Sequence, residues 1–285
     1  MKITLITPCR NAAARLPATL ESVLGQDALR DGTVELEYWI IDGASTDGSA
    51  EIAAGLGGAR VRVLSEADGG MYDALCKGLE RATGEVVGYL NAGDRLLPGA
   101  LAALAGLFAD PEVRWLSGIQ SLGNAAGQVV WVREPYRFRA GLIRRGVYGR
   151  WLPFIQQEST FWRRDLLAAV DRERLRGLRL AGDYFLWYSF ARLCEPVCAN
   201  VQLGVFTVHP GQLSEDRRGY AAEIRSFAGR PGPLSALLAA LDAPCWFLPK
   251  PLKRLLNPAL RFYDHGRGTW GRARAAAAGA DGPHP

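Results

Sequence analysis

Short apolar runs alternate with helical segments through the first third of the chain. The runs at 3–7, 36–41, 61–64 and 86–90 each have the length and the closing polar residues of one buried strand. Between them, apolar residues recur at helical spacing, as in Leu16, Leu20 and Val23. This alternation of strand and helix predicts an α/β fold with a mostly parallel central sheet and helices on both faces.

Polar or small residues follow each predicted strand. Thr7 ends the first strand, Asp42 ends the second, Asp68 lies after the third, and residues 91–94 follow the fourth. The carboxyl ends of parallel strands meet at one edge of a sheet, where open α/β sheets hold their ligands. We therefore expect these side chains to line one cleft.

Asp94 is the main metal candidate in this cleft. Gly93 lets the backbone come close, and a carboxylate combined with diphosphate oxygens and water suits a magnesium ion. Taken alone, the segment 91–94 is better explained as an ordinary turn, because Asn, Gly and Asp are common turn residues. The rest of the chain has to decide between these two interpretations.

Composition and charge narrow the class of protein. The 285 residues are 48% hydrophobic, which predicts one large globular domain. A net charge of +5 favours anionic partners such as nucleotide diphosphates, lipid phosphates or a membrane face, and no nucleic-acid recognition motif accompanies it. No apolar run has the length of a signal peptide or a membrane span. Five cysteines without CxxC spacing predict a reducing, cytoplasmic location.

The loop after the first strand excludes two common nucleotide-binding classes. Residues 7–11 contain no glycine, whereas a dinucleotide-binding fold requires G-x-G-x-x-G at this place. The chain has no Walker A pattern either. A nucleotide must therefore be held by another arrangement.

Seven motifs occur in the order of one known family, at 6–11, 41–49, 65–74, 90–94, 155–162, 180–184 and 208–214. On these motifs the chain resembles family 2 glycosyltransferases with the GT-A fold, and more narrowly the bacterial enzymes that build surface polysaccharides. The resemblance implies a Rossmann-like nucleotide-binding half at 1–96 and an acceptor half at 97–228. One departure is Asn91, which stands at the first position of the family's Asp-x-Asp metal motif.

The resemblance also assigns roles to individual residues. It implies a nucleotide pocket lined by Thr7, Pro8, Arg10, Asp42, Asp68, Asn91 and Gly93. It places Mg2+ or Mn2+ on Asp94 and His209, and it makes Asp183 the catalytic base. It places the donor sugar and the acceptor beside Gln156, Gln157 and Glu158.

Asp183 and His209 each have a plain structural alternative, and so does Asp47, to which no role has been assigned. Asp183 lies at a predicted helix start, where it can be an N-cap. His209 is comparably well explained as an ordinary hydrogen-bonded histidine. For Asp47, which lies in the second motif, we expect helix capping rather than ligand binding.

The function implied by the resemblance is an inverting, metal-dependent glycosyltransferase. It would move a sugar from a nucleotide-diphosphate donor, expected to be UDP-linked, to a saccharide or lipid-linked saccharide acceptor. Two alternatives remain open, which are a sugar-phosphate nucleotidyltransferase and a non-catalytic nucleotide-sugar-binding or scaffold protein. The nucleotidyltransferase class is expected to carry a Gly-rich, Arg-containing loop after the first strand, and the scaffold interpretation rests on Asn91.

The character of the chain changes after residue 228. Residues 229–270 combine leucines, Trp246 and Phe247 with a basic stripe that includes Lys250 and Arg254, and we expect a helical extension there. Such a segment suits a helix in the interface of the inner membrane, or a subdomain that packs on the sheet or forms a homodimer. Residues 271–285 are rich in Ala, Gly and Arg and are expected to form a disordered tail.

Overall fold

The structure of the protein is a computed structural model that describes residues 1–257 and 259–272. The strands are β1 (Lys2–Cys9), β2 (Glu35–Asp42), β3 (Val61–Ser65), β4 (Val86–Tyr89), β5 (Arg95–Leu96), β6 (Trp115–Gly123), β7 (Val129–Arg133), β8 (Thr160–Arg163), β9 (Val197–Gln202), β10 (Gly204–Thr207), β11 (Arg261–Asp264) and β12 (Thr269–Arg272). The helices are α1 (Leu16–Leu24), α2 (Asp27–Arg30), α3 (Ser49–Gly57), α4 (Met71–Arg81), α5 (Ala100–Phe108), α6 (Ala140–Ile143), α7 (Arg172–Arg176), α8 (Gly182–Phe190), α9 (Arg217–Ala228), α10 (Pro233–Asp242) and α11 (Lys250–Leu256).

The main sheet has the strand order β12-β11-β9-β6-β8-β4-β1-β2-β3. Strands β4, β1, β2 and β3 are parallel neighbours, as the alternation of strand and helix predicts. Strand β8 is antiparallel to both β4 and β6, so it joins the first half of the sheet to the second. The α/β class and the mostly parallel central sheet are therefore confirmed.

Both faces of the sheet are buried, because helices cover each of them. Along β1, Ile3 and Leu5 join the apolar cluster that includes α1 and α5, whereas Ile6 joins the cluster that includes α4 and α8. The alternation of side chains along a strand produces this division. Trp162 and Trp187 lie in the second cluster with their ring centroids 5.6 Å apart, so they pack the core.

The C-terminal segment differs in part from its prediction. Helices α10 and α11 form as expected, but β11 and β12 make an antiparallel hairpin that adds to β9 through Arg261 and Ala199. Trp270 packs the hairpin against α5. Its ring is so close to Gly106 that a Cβ added to this glycine would lie only 2.7 Å from it. The tail predicted at 271–285 begins inside β12, and residues 273–285 lie outside the described part of the chain. Within the described residues, no helix is long and apolar enough to cross a membrane.

We predict that Gly88→Ala lowers the free energy of unfolding by about 1–3 kcal/mol. Gly88 lies in β4, where a Cβ would be 2.4 Å from two ring carbons of the buried Phe161. Gly55→Ala is the matched control, because α3 leaves open space around Gly55. That change should be neutral or slightly stabilising. Chemical denaturation measures both values, and a Gly88→Ala protein as stable as the Gly55→Ala protein would contradict the close strand–strand packing.

Candidate active site

Loops after β1, β2 and β3 are joined into one surface at the carboxyl edge of the sheet. Gly43 donates its backbone N–H to the Cys9 carbonyl at 2.9 Å, and Glu66 donates to the Asp42 carbonyl at 3.0 Å. The Asn11 side chain accepts from the Thr46 backbone at 3.0 Å. The predicted nucleotide residues at 7–10, 42 and 68 are therefore brought to one place.

Asp42 is fully buried at this edge, and protein donors occupy both of its oxygens. Oδ2 accepts from the Ser65 hydroxyl at 2.6 Å and from the Ser45 backbone at 3.0 Å, while Oδ1 accepts from the Ser45 hydroxyl and the Cys9 thiol. Burial acts to raise the pKa of Asp42, but these hydrogen bonds outweigh it and lower the pKa below its ordinary value. The structure thus gives Asp42 an organising role, and its direct contact with a nucleoside stays a prediction.

The other predicted nucleotide residues differ in exposure. Thr7 is buried, with its hydroxyl 2.9 Å from the Tyr38 hydroxyl, and Pro8 is buried beside it. Asp68 is partly exposed and lies against Gly43, where a Cβ would be 2.5 Å from its carboxylate. Arg10 is exposed. Asp68 and Arg10 are therefore the members of this set that are open to a ligand.

Asp47 contacts the start of α3, as the capping interpretation predicts. Its Oδ1 accepts from the Ser49 backbone at 3.1 Å, although the N-cap position itself is Gly48. Its Oδ2 accepts from the Ala13 backbone at 2.9 Å. Asp47 therefore joins α3 to the loop after β1.

The segment 91–94 is a turn that presents a carboxyl group. Gly93 has φ = +111°, a conformation that favours glycine. The Thr19 hydroxyl accepts from the Gly93 backbone and donates to the Asp94 carbonyl, both at 2.8 Å, which ties the turn to α1. The Asp94 side chain is 4% exposed, and its Oδ1 accepts from the Thr207 backbone at 2.8 Å. The turn interpretation and the ligand interpretation are thus compatible.

Glu158 is a second buried carboxyl group, and it faces Asp94. The two carboxyl groups are close enough that each affects the pKa of the other. Burial raises the pKa of Asp94 to about 7. Burial and the Asp94 charge raise the pKa of Glu158 well above its ordinary value. Two carboxyl groups in this setting need a shared proton or a cation between them.

Amide side chains support this pair. Asn91 donates from Nδ2 to Gln157 Oε1 at 3.2 Å, and Gln157 donates from Nε2 to the Tyr89 carbonyl. Gln156 binds both backbone groups of Ser121, accepting at 2.6 Å and donating at 2.7 Å. The side chains of both glutamines are thus hydrogen-bonded to other protein groups, whereas the prediction was that they contact the sugar. Their role toward a sugar stays a prediction.

Asn91 Oδ1 is buried and has no hydrogen-bond partner among the residues that the structure describes. It belongs to the turn that carries Asp94, so an unsatisfied neutral oxygen and a carboxylate occur together. Oxygen ligands of this kind suit Mg2+ or Mn2+. The residues present therefore fit a hard divalent cation whose remaining ligands are diphosphate oxygens and water.

His209 is not gathered into a ligand cluster. Its backbone donates to Gln212 Oε1 at 3.0 Å, and its Nδ1 lies 3.0 Å from the Pro210 carbonyl. In the part of the chain that the structure describes, no group of three or more His, Cys, Asp or Glu side chains is arranged to hold a metal. A metal role for His209 stays a prediction.

Asp183 lies in the first turn of α8. Its Oδ1 accepts from the Tyr184 backbone at 2.7 Å, and the Tyr220 hydroxyl lies 3.2 Å from both of its oxygens. The N-cap residue is Ala181, so the alternative that Asp183 is the N-cap is wrong. The helix begins two residues earlier than that alternative required, at Gly182 rather than at Tyr184. Burial raises the pKa of Asp183 to about 7, and the nearby Glu158 charge adds to this shift.

Helix α9 and Tyr72 hold the backbone that precedes Asp183. The carboxylate of Glu223 accepts from the backbone N–H groups of Arg179, Leu180 and Ala181 at 2.7–2.9 Å. Tyr72 donates to the Leu180 carbonyl at 3.1 Å. The Tyr72 ring packs so closely on the next glycine, at 182, that a Cβ there would be 2.4 Å away. The loop is thereby fixed from two sides.

Sequence reasoning missed three residues at this edge. Tyr220 and Glu223 lie one turn apart on α9 and reach Asp183 and its loop across about 40 residues of chain. Their spacing on one helix face was the only sequence signal. Arg15 was missed as well. It is an exposed cation, and its side chain packs beside Gly93, where an added Cβ would lie 3.2 Å from it.

Comparison with known proteins identifies the family of the chain. A sequence model of the family Glycosyl transferase family 2 matches residues 4–170. A PGL/p-HBAD biosynthesis glycosyltransferase of Mycobacterium bovis (strain BCG / Pasteur 1173P2) is 36% identical over 186 residues, covering 64% of this chain and 66% of that protein. An uncharacterized glycosyltransferase of Mycobacterium tuberculosis (strain ATCC 25618 / H37Rv) is 27% identical over 209 residues, covering 72% of this chain and 74% of that protein.

Solved structures share the fold at low sequence identity. Residues 1–349 of S. aureus TarS in complex with UDP-GlcNAc give a TM-score of 0.57 at 17% identity, covering 90% of this chain and 71% of that one. The mannosyltransferase PcManGT from Pyrobaculum calidifontis, in complex with GDP-Man and Mn2+, gives 0.56 at 22% identity, covering 88% and 71%. These likenesses establish the GT-A fold. Because the family model matches more than half of the chain, the chain belongs to glycosyltransferase family 2 and is a glycosyltransferase.

Proposed function

We propose that this glycosyltransferase moves a sugar, with inversion and with the help of Mg2+ or Mn2+, from a UDP-linked donor to a saccharide or lipid-linked saccharide. The observation that carries the proposal is the buried Asp94–Glu158 pair beside the unpartnered oxygen of Asn91. Similar folds have been solved with UDP-GlcNAc and with GDP-Man and Mn2+, which supports a nucleotide-sugar donor and a divalent metal. The match to a protein named for PGL/p-HBAD biosynthesis supports a role in assembling surface glycans.

Asp94 and Asn91 are the residues that would hold the metal. When bound, the cation would stabilise the charge that develops on the leaving diphosphate. Thr207 and Thr19 orient Asp94 and its turn, and Arg15 offers an exposed positive charge beside Gly93. These oxygen ligands and the Arg15 charge support a diphosphate position beside the turn at 91–94.

Asp183 would remove the proton from the acceptor hydroxyl as that hydroxyl attacks the donor sugar. Its pKa of about 7 suits a general base near neutral pH, because about half of the groups are ionised there and the carboxylate still accepts a proton readily. Tyr220 and the Tyr184 backbone hold the carboxylate in one orientation. A single displacement of this kind inverts the anomeric configuration.

Family membership favours sugar transfer over both alternatives. The loop at 7–11 contains no glycine, whereas a sugar-phosphate nucleotidyltransferase is expected to have a Gly-rich, Arg-containing loop at this place. The scaffold interpretation rests on Asn91 alone, and Asn91 still supplies an oxygen ligand. All five cysteines are unpaired thiols, which supports the proposed cytoplasmic location.

Replacing Asp94 with Asn should lower the rate of sugar transfer by about a hundredfold or more, because the main charged metal ligand is lost. The assay offers a panel of nucleotide sugars with Mn2+ or Mg2+ and measures the release of nucleotide diphosphate. Asp27→Asn is the matched control, since its side chain is 87% exposed on a short helix remote from the cleft. Unchanged turnover in the Asp94→Asn protein would contradict the proposed metal site.

Tyr220→Phe should move the acid limb of the pH–rate profile to higher pH. The ionised form of Asp183 loses a hydrogen-bond donor, so the pKa of Asp183 rises and less of the base is available below that value. We expect kcat at pH 6 to fall by about tenfold, the usual worth of a hydrogen bond to a charged group. Tyr188→Phe is the control, because that ring packs on Phe185 and Phe227. A profile that keeps its acid limb in Tyr220→Phe would remove Asp183 from the role of base.

A further inference from the structure

Helix α10 exposes a stripe of leucines. Leu234, Leu237 and Leu241 follow the spacing of one helix face, and Leu241 is 66% exposed. The opposite face of α10 is buried through Ser235, Ala239 and Asp242. The helix is therefore packed on the protein by its small and polar side and presents its apolar side outward.

The apolar surface continues beyond α10. Phe247 is 79% exposed in the turn that follows, and Leu252 and Leu255 are exposed on α11. We call the surface formed by Leu234, Leu237, Leu241, Phe247, Leu252 and Leu255 the α10–α11 face. Exposed apolar side chains grouped in one segment in this way mark sites of interaction with a membrane or a partner.

The charge of the segment 229–257 is entirely positive at its surface. Its single acidic residue, Asp242, is buried and accepts from Arg139 Nε at 2.8 Å. Its cations are Arg230, Lys250, Lys253 and Arg254, of which Lys253 is buried. Outside the segment, Glu134 pairs with Lys250 at 2.8 Å, so Arg230 and Arg254 are the exposed cations without such an acid in the segment itself. Exposed apolar side chains with such cations are complementary to a surface of anionic lipid.

Strand β7 connects this face to the active site. At one end, Glu134 follows β7 and accepts an ion pair from Lys250 of α11 at 2.8 Å. At the other end, Val129 is paired with Gly123 of β6. The same Gly123 is paired with Thr207 of β10. Thr207 binds Asp94, so β7 spans about 17 Å between α11 and the catalytic edge. Its residues from Val129 to Val132, including Trp131, are all exposed.

We propose that the α10–α11 face docks on an anionic membrane surface and that the lipid part of the acceptor reaches the active site along β7. The acceptor part of this proposal rests on the proposed glycosyltransferase function. The docking part rests only on the exposed leucines, Phe247 and the surrounding cations. The acceptor class that follows is a saccharide on a lipid anchor.

A second copy of the chain fits this face less well than a membrane does. A two-fold dimer uses the same patch on both subunits, so Arg230, Lys250 and Arg254 would face cations of their own kind. An anionic lipid surface supplies the opposite charge. The proposal therefore commits to lipid, and a dimer becomes an outcome of the test.

The test is co-sedimentation of the full chain with vesicles of phosphatidylcholine alone or mixed with phosphatidylglycerol. We expect binding to the anionic vesicles that weakens as salt is added. Leu237→Ser combined with Leu241→Ser should lower the partition coefficient at least tenfold. Leu56→Ser is the matched control, because Leu56 is 50% exposed on α3, at the opposite end of the sheet. The control should bind as the unchanged chain does.

Two results would overturn the proposal. One is vesicle binding that is absent, or that the two serine substitutions leave unchanged. The other is a dimer, seen by light scattering without lipid, that these substitutions dissociate. Release of nucleotide diphosphate without vesicles is measured for every variant, and it should stay unchanged. If the unsubstituted chain releases nucleotide diphosphate but binds no vesicles, the docking surface is rejected while the glycosyltransferase function stays in place.

Discussion

The burial of the Asp94 carboxyl group beside Glu158 is the constraint on which the rest of the site depends. Two carboxyl groups removed from water are stable only with a proton or a cation between them, because an isolated buried charge is costly. Several hydrogen bonds stabilise this arrangement. Thr207 binds the Asp94 side chain, Thr19 binds its turn, and Gln157 fixes the amide of Asn91. These contacts around an unsatisfied oxygen support the proposed cation site.

The same edge also brings together parts of the chain that are distant in sequence. The turn after β4 meets the segment 156–158, and both meet β10. Helix α9 then fixes the loop before Asp183 through Glu223 and orients Asp183 through Tyr220. The proposed base is therefore held by α9, while the proposed metal ligand Asp94 is held by Thr19 of α1 and Thr207 of β10. Sugar transfer needs both to be aligned across one cleft.

Local patterns allowed the first half of the fold to be predicted closely. The strands expected at 3–7 and 36–41 are β1 (Lys2–Cys9) and β2 (Glu35–Asp42), since a buried parallel strand shows itself as an apolar run. The hairpin of β11 and β12 was missed, because it is stabilised by contacts with β9 and α5 rather than by its own sequence. The same limit applies to the site. The motifs singled out Asp94 and Asp183 as candidate site residues. The sequence could not show, however, that the Gln156 side chain would be hydrogen-bonded to the Ser121 backbone.

The most direct measurement is an anomalous difference map from crystals grown with Mn2+ and uridine diphosphate. The account predicts a manganese peak in contact with the Asp94 carboxylate, close to Asn91 Oδ1, and bridged to the diphosphate. Nucleotide bound at the sheet edge with manganese elsewhere, or with Asp94 still paired only to Glu158, would contradict it.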